Sequence, residues 1–293
     1  MASQAAERLI PSSMELGGKN AMIVLEDANL RRSLEGAEEA MFSNAGQLCI
    51  SIERLFVHDD IADEFVGRLA DRVRGTKVGA GLSYEHEMGS LISKKQLETV
   101  KKHVCDAVQK GATVFAGGRA RPDLGRYFYE PTLLADVHEG MTLFADETFG
   151  PVVAVSTFSS EDEAVERANA SRYGLNLQRL DAGRPARPPA GDPAAGQNGE
   201  RQRGLHRGLG SIDAPMGGMK DSGIGRRHGA TGIQKYTGVA ARGGPATAAD
   251  SPARPGRPSH LDQGDNRRSA AAAPARPALT AARRRRTPPP GGP

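Results

Sequence analysis

Between residues 14 and 176, short β-branched runs alternate with stretches whose apolar residues recur every three or four positions. Strand-length runs separated by helical periods predict an α/β layer fold, with helices packed on a largely parallel sheet. NAMIVL at 20–25 predicts the first strand. Leu30, Leu34, Ala37 and Met41 then share one helical face, and that helix leads into FSNAGQLCIS at 42–51. RLFVH at 54–58 predicts a second strand, followed by a helix with Ile61, Phe65, Leu69 and Val73 on one face and Asp59 or Asp60 as its cap. Leu97, Val100, Val104 and Val108 mark a third helix, closed by Gly111 and followed by the strand ATVFAG at 112–117. PVVAVSTF at 151–158 is a further strand, after which Ser160 and Glu163 form a capping box for a helix ending near Asn169.

Beyond Asn176 the pattern breaks. Residues 177–208 contain no Val, Ile, Phe, Tyr or Met, and their prolines and glycines predict neither a helix nor a buried strand there. Order returns over 209–237, which includes LGSIDAPMGGMKDSGIGRRHG, and 238–293 is an Ala/Arg/Pro/Gly-rich tail expected to be disordered.

Composition changes this picture only regionally. The chain has 293 residues, 36 Gly, 19 Pro, no Trp and 4% aromatics, so its core must come from the 14–176 block. The net charge of +4 reflects Arg concentrated late in the chain, without the interleaved aromatics or recognition fold of a nucleic-acid binder. Two cysteines make no disulfide framework, and MASQAAERLIPSSM has no apolar signal core, so a cytoplasmic setting is expected. No run approaches the roughly 20 apolar residues of a membrane helix. No spacing of His, Cys, Asp or Glu suggests a metal site.

Candidate chemistry gathers at three places. Cys49 stands on a loop between a helix end and a strand, where a thiolate can attack a carbonyl carbon. Cys105, beside Val104 in a helical period, is expected only to pack. In MELGGKN, Glu15 precedes a Gly-Gly turn that lets backbone approach a ligand while a carboxylate projects into a cleft. In DETFGPVV, Glu147 and Phe149 stand at the mouth of a strand, with Gly150 and Pro151 setting the turn. Together they suggest a carbonyl-attacking thiol, a base for water, and an acid with an aromatic ring to hold a flat cofactor.

ELGGKN, FSNAGQLC and ETFGP, in this order and at these spacings, resemble the NAD(P)-dependent aldehyde dehydrogenase superfamily, and YGLN and MGGMKDSGIGRRHG are similar to its later signatures. Within it, NAGQLCISIERLFVH and the later segment most resemble bacterial succinate-semialdehyde dehydrogenases of the actinobacterial type. The resemblance implies a three-layer αβα catalytic domain at 14–176 and places 1–13 as a remnant of the cofactor domain. It implies that Cys49 forms a thiohemiacetal and then a thioester, that Glu15 activates the hydrolytic water, and that the Cys49 backbone N–H helps hold the oxyanion. Glu147 would bind the nicotinamide ribose and Phe149 would pack near the nicotinamide ring. The cofactor is NAD or NADP; the pocket that discriminates them belongs to the family's first half, ahead of ELGG. The expected partner is a small aldehyde, succinate semialdehyde by resemblance, and family members commonly form homo-oligomers. An alternative is a truncated remnant without turnover, limited to aldehyde adducts or weak esterase chemistry at Cys49.

In the family, the stretch after YGLN carries a strand, a helix and another strand, where this chain has Arg/Pro/Gly sequence. Out-of-frame GC-rich codons yield that composition. Translating the coding DNA of 177–208 in its other two frames should therefore restore an apolar strand pattern, and two frames without one would exclude a frameshift.

Overall fold

The computed structural model describes residues 1–182, 200–201, 213 and 215–237. The tail at 238–293 and most of 183–212 lie outside the described residues. Helix α1 (Ala2–Ala6) and strand β1 (Met14–Glu15) precede β2 (Asn20–Val24), α2 (Leu30–Phe42), β3 (Ile52–His58) and α3 (Asp59–Gly75). Next come α4 (Lys94–Gln109), β4 (Thr113–Ala116), β5 (Thr132–Ala135), α5 (Thr142–Ala145), β6 (Val152–Phe158) and α6 (Glu161–Asn169). The short elements β7 (Tyr173–Gly174), β8 (Leu177–Leu180), β9 (Glu200–Arg201), β10 (Met219–Lys220), β11 (Gly223–Ile224) and α7 (Gly229–Gln234) follow. Seven strands form one sheet in the order β4-β5-β6-β3-β2-β8-β9, parallel except for the antiparallel edge strand β4. Two small antiparallel ladders, β1–β11 and β7–β10, tie the later segment back to the block.

The strand period of two sorts the core. Met22, Val24, Leu55, Val57, Val153 and Val155 join one cluster with the apolar faces of α2, α3 and α4, while Ala21, Ile23, Leu25, Phe56 and Phe158 meet Ala164 and Ala168 of α6 in another. The result is three layers, as expected. Phe65 and Leu69 of α3 are fully buried, and burying such a side chain stabilises by about 1.5–3 kcal/mol.

Four local expectations are corrected. Helix α3 is capped by His58, whose Nδ1 accepts from Asp60 N–H at 3.3 Å, because β3 stays paired with β6 through His58↔Phe158 and the helix begins directly after it. Asp59 and Asp60 fall in its first turn, where their charge meets the positive end of the helix dipole. Cys105 is exposed rather than packed, since the buried stripe of α4 runs through Leu97, Val100, Val104 and Ala107 and leaves position 105 off that face. Ordered strand also continues past Asn176. Leu177–Leu180 pairs in parallel with β2 from Ala21↔Leu177 to Val24↔Leu180, with Gln178 and Leu180 buried. A ready partner edge supplies its hydrogen bonds without any β-branched run. At α6, Ser160 accepts from Glu163 N–H at 3.3 Å, but the Glu163 carboxylate reaches back to Ser159 N–H at 3.0 Å, one residue before the cap.

Under the sheet's site-bearing edge lies a buried ion pair, Lys19 Nζ to Glu53 Oε2 at 2.6 Å, with side chains 0% and 4% exposed. Glu53 also accepts from Thr148 N–H with both oxygens, at 3.0 and 2.9 Å, and from Phe149 N–H at 2.8 Å. Lys19→Met alone should lower unfolding free energy by about 3–5 kcal/mol, because an uncompensated carboxylate stays buried. Lys19→Met/Glu53→Gln should recover part of that loss in urea denaturation; a single-variant loss under about 1 kcal/mol would show that the pair carries no such weight.

Candidate active site

The loop carrying Cys49 is built from left-handed residues. After α2, Asn44 (φ 53°), Ala45 (φ 55°) and Gly46 (φ 68°) follow one another, a conformation that costs non-glycine residues roughly 1–2 kcal/mol each. Only glycine fits at the third position: a Cβ on Gly46 would lie 2.2 Å from the Gly150 carbonyl oxygen. Asn44 and Gln47 brace the turn reciprocally, Nδ2 to the Gln47 carbonyl at 3.1 Å and Nε2 to the Asn44 carbonyl at 3.0 Å, while Gln47 Oε1 accepts from Ile92 N–H at 2.9 Å.

Two asparagines then hold the peptide groups from Cys49 onward. Asn20 Nδ2 donates to the carbonyls of Cys49 and Ser51, both at 2.8 Å, and Asn176 Nδ2 donates to that of Ile50 at 2.9 Å. Asn176 N–H in turn donates to Asn20 Oδ1 at 3.0 Å. Three successive carbonyls are thereby fixed from one pair of side chains. Cys49 is half-buried. Burial is the main cause that pushes the thiol pKa up, followed by the negative charges of Glu15 and Glu147; the backbone N–H and Arg227 pull it back in part.

Glu147 approaches from the loop before β6. Its Oε1 accepts from Gly18 N–H at 2.9 Å, and a Cβ on Gly17, which has φ 94°, would lie 2.2 Å from Oε2. Burial raises the Glu147 pKa, with Glu53 adding to the rise while the Gly18 N–H and Lys19 oppose it. Phe149 is half-buried and left-handed (φ 51°). Its strained peptide is held by the Glu53 contacts on one side and on the other by Gln96 Nε2, which donates to the Thr148 and Phe149 carbonyls at 2.8 Å each. Glu15 sits in β1 opposite Gly223, and its carboxylate pairs with the Arg227 guanidinium.

Cys49, Glu15 and Glu147 are thus brought together around one thiol, and Phe149 shares the Glu147 loop. Sequence reasoning missed Lys19, Glu53, Asn20, Asn176 and Arg227. The asparagines stand inside the motifs GGKN and YGLN, but asparagine at a strand end is ordinarily a turn residue. Arg54, close to Cys49 in sequence, is turned away from it. It donates to the carbonyls of Lys19, Arg167 and Ala168 at 2.9, 3.0 and 2.8 Å, so that it caps the end of α6, and burial pushes its pKa down to about 10.

A hollow of about 680 Å³ beside α3 and β6, lined by Ala62, Val66, Phe115, Val137 and Val155 among others, contains none of the site residues. Among the described residues no cluster of three or more His, Cys, Asp or Glu could hold a metal ion. No helix among them is long and apolar enough to cross a membrane.

The signature of the aldehyde dehydrogenase family matches residues 1–178. A Mycobacterium ulcerans protein with the provisional name succinate-semialdehyde dehydrogenase (NADP+) 2 is 50% identical over 241 residues, which is 81% of this chain and 46% of that protein. The 3-sulfolactaldehyde dehydrogenase of Pseudomonas putida is 39% identical over 235 residues, 80% of this chain and 47% of that protein. Among solved structures, the NAD+ complex of an aldehyde dehydrogenase from Bacillus cereus matches with a TM-score of 0.73 at 36% identity, over 81% of this chain and 48% of that one. The chain spans about half the length of the relatives it matches.

The charges around the thiol make a prediction about pH. In a Cys105→Ser background, alkylation of Cys49 by iodoacetamide should titrate with a midpoint above that of a free cysteine. Glu15→Gln should move the midpoint down, since removing a nearby negative charge favours the thiolate. A midpoint unmoved by that change, followed by mass spectrometry across pH 7 to 10, would mean that the two groups are electrostatically separate.

Proposed function

The chain belongs to the aldehyde dehydrogenase family, and from that premise we propose that Cys49 is the nucleophile of an NAD(P)-dependent oxidation of an aldehyde bearing an anionic far end. NADP and succinate semialdehyde are supported by the names of the mycobacterial relatives. The sulfonated aldehyde in the Pseudomonas relative's name supports the anionic end. The observation that carries the reading is the seating of half-buried Cys49 against the Gly17–Gly18 turn, where a Cβ on Gly18 would lie 3.1 Å from the Cys49 carbonyl oxygen, Glu147 accepts from Gly18 N–H and Glu15 stands just before the turn.

The Cys49 sulfur attacks the carbonyl carbon and its proton passes to Glu15, giving a thiohemiacetal. The Cys49 N–H donates to the oxygen on which charge develops, while the Asn44–Gln47 brace fixes the turn ahead of it and the Asn20–Asn176 clasp the carbonyls from Cys49 onward. When bound, the nicotinamide supplies the hydride acceptor that turns this adduct into a thioester. Glu15 passes the thiol's proton to solvent and, as a carboxylate again, takes a proton from the water that attacks the thioester, so that Cys49 leaves as thiolate and the acid is released. The raised thiol pKa suits this division, because a neutral resting thiol is protected until a base is engaged.

The residues present fit the nicotinamide end of such a cofactor. Gly17 carries no side chain where a Cβ would strike Glu147, so that the carboxylate can turn to a ribose hydroxyl, and Phe149 offers a half-buried ring on the same loop. A second reading rests on the half-buried thiol alone: the chain forms aldehyde adducts at Cys49 without turnover.

Incubation of the full chain with succinate semialdehyde and NADP+, read as absorbance at 340 nm, separates the two. Turnover is expected, abolished by Cys49→Ser and lowered about 10²-fold or more by Glu15→Gln. A mass adduct at Cys49 with no reduced cofactor establishes the second reading instead.

A further inference from the structure

The reaction as derived gives Arg227 no role, yet the fold fixes it at the site. Its segment is pressed onto the residues that lead into the Gly-Gly turn: β1 pairs with β11, a Cβ on Gly223 would lie 2.1 Å from the Met14 carbonyl oxygen, and one on Gly225 would lie 2.7 Å from Ser13 Oγ. Lys235 Nζ adds a bond to Ser13 Oγ at 3.2 Å. Arg227 is then held by its own peptide, through paired hydrogen bonds with Met216 at 2.7 and 2.5 Å.

From that base the guanidinium meets Glu15 through Nε, the inner nitrogen of the fork. The Arg227 side chain is 51% exposed and that of Glu15 only 20%, so the arginine lies on the solvent side of the pair. The charges that act on the Cys49 thiol are the carboxylates of Glu15 and Glu147 and the guanidinium of Arg227. Among the described residues, the cation in that set is Arg227 alone, against two carboxylates. Arg54 is committed elsewhere, since all three of its nitrogens donate to the carbonyls of Lys19, Arg167 and Ala168. A planar fork is also the geometry that receives a carboxylate or sulfonate through two parallel hydrogen bonds.

We propose that Arg227 recognises the terminal oxyanion of the aldehyde, a carboxylate or a sulfonate, and so determines specificity at Cys49. This rests on Cys49 being the nucleophile. The recognised anion draws the guanidinium partly from Glu15, which leaves that carboxylate more basic when the substrate is seated.

The test uses the full chain in a Cys105→Ser background at low salt. Cys49 is alkylated in parallel by iodoacetate, which is anionic, and by iodoacetamide, its neutral counterpart. Both react with the thiolate, so any change in the thiol's pKa cancels in the ratio of their rates. Arg227→Gln should lower the iodoacetate-to-iodoacetamide ratio roughly tenfold, the scale expected for losing one nearby charge at a partly buried site. Arg227→Lys should retain most of that ratio, because the charge remains. Protection from iodoacetamide then reads recognition itself: succinate semialdehyde should shield Cys49 at lower concentration than butanal, and this preference should shrink in Arg227→Lys and vanish in Arg227→Gln. An unchanged alkylation ratio in Arg227→Gln, or equal protection by the two aldehydes in the parent chain, overturns the assignment. If no aldehyde protects Cys49, the nucleophile reading fails, and the assignment of Arg227 as a substrate residue is overturned with it.

Discussion

The buried Lys19–Glu53 pair is the constraint on which the site depends. A charge pair taken out of water gains stability only when its remaining hydrogen-bonding capacity is filled. On the Glu53 side that capacity is met by the backbone N–H groups of Thr148 and Phe149. The electrostatic requirement of Glu53 therefore fixes where the loop before β6 must lie, and with it the positions of Glu147 and Phe149. Lys19 sits at the entry to β2, directly after the Gly-Gly turn, and Glu53 is in β3, four residues beyond Cys49. One ion pair consequently sets the mutual positions of the three segments that carry Glu15, Cys49 and Glu147.

Around that anchor the Cys49 loop is held by polar side chains. Left-handed Asn44 and Ala45 are unfavourable in themselves, and they persist because Gln47, Gly46 and the Asn20–Asn176 clasp determine the surrounding backbone. A loop so held offers its N–H groups in fixed directions, which is the condition for stabilising charge without reorganisation during a reaction. The same enclosure removes water from the thiol and raises its pKa, so preorganisation and a neutral resting thiol have a common origin.

How much of this was legible in the sequence depends on the range of the interaction. The strands at Asn20–Val24, Ile52–His58 and Val152–Phe158 and the helices between them follow from periods of two and about 3.6, and they appear where the pattern places them. The His58 cap was hidden because histidine is an uncommon cap and two aspartates stand just behind it. Strand β8 was hidden because its stability comes from the edge of β2 and not from its own residues. The Lys19–Glu53 and Asn20–Asn176 contacts join residues 34 and 156 positions apart, and no local pattern encodes them. Cys49, Glu15, Glu147 and Phe149 were nameable because their motifs are distinctive, but the electrostatic balance among them was not.

That balance follows from where the site lies on the sheet. The segments bearing Glu15, Cys49, Glu147 and Asn176 all enter strands, namely β2, β3, β6 and β8, so the site occupies the amino-terminal edge of the parallel sheet. Ligand sites of open α/β sheets more often occupy the opposite edge, where helices begin and their positive dipole ends favour anions. In this chain the loops that carry Cys49 and Glu147 instead follow the ends of α2 and α5. Backbone dipoles at such ends favour cations, and Glu15 and Glu147 add to that bias. Positive charge for an anion at this edge must then come from a side chain, and the ladder between β1 and β11 brings one there in Arg227.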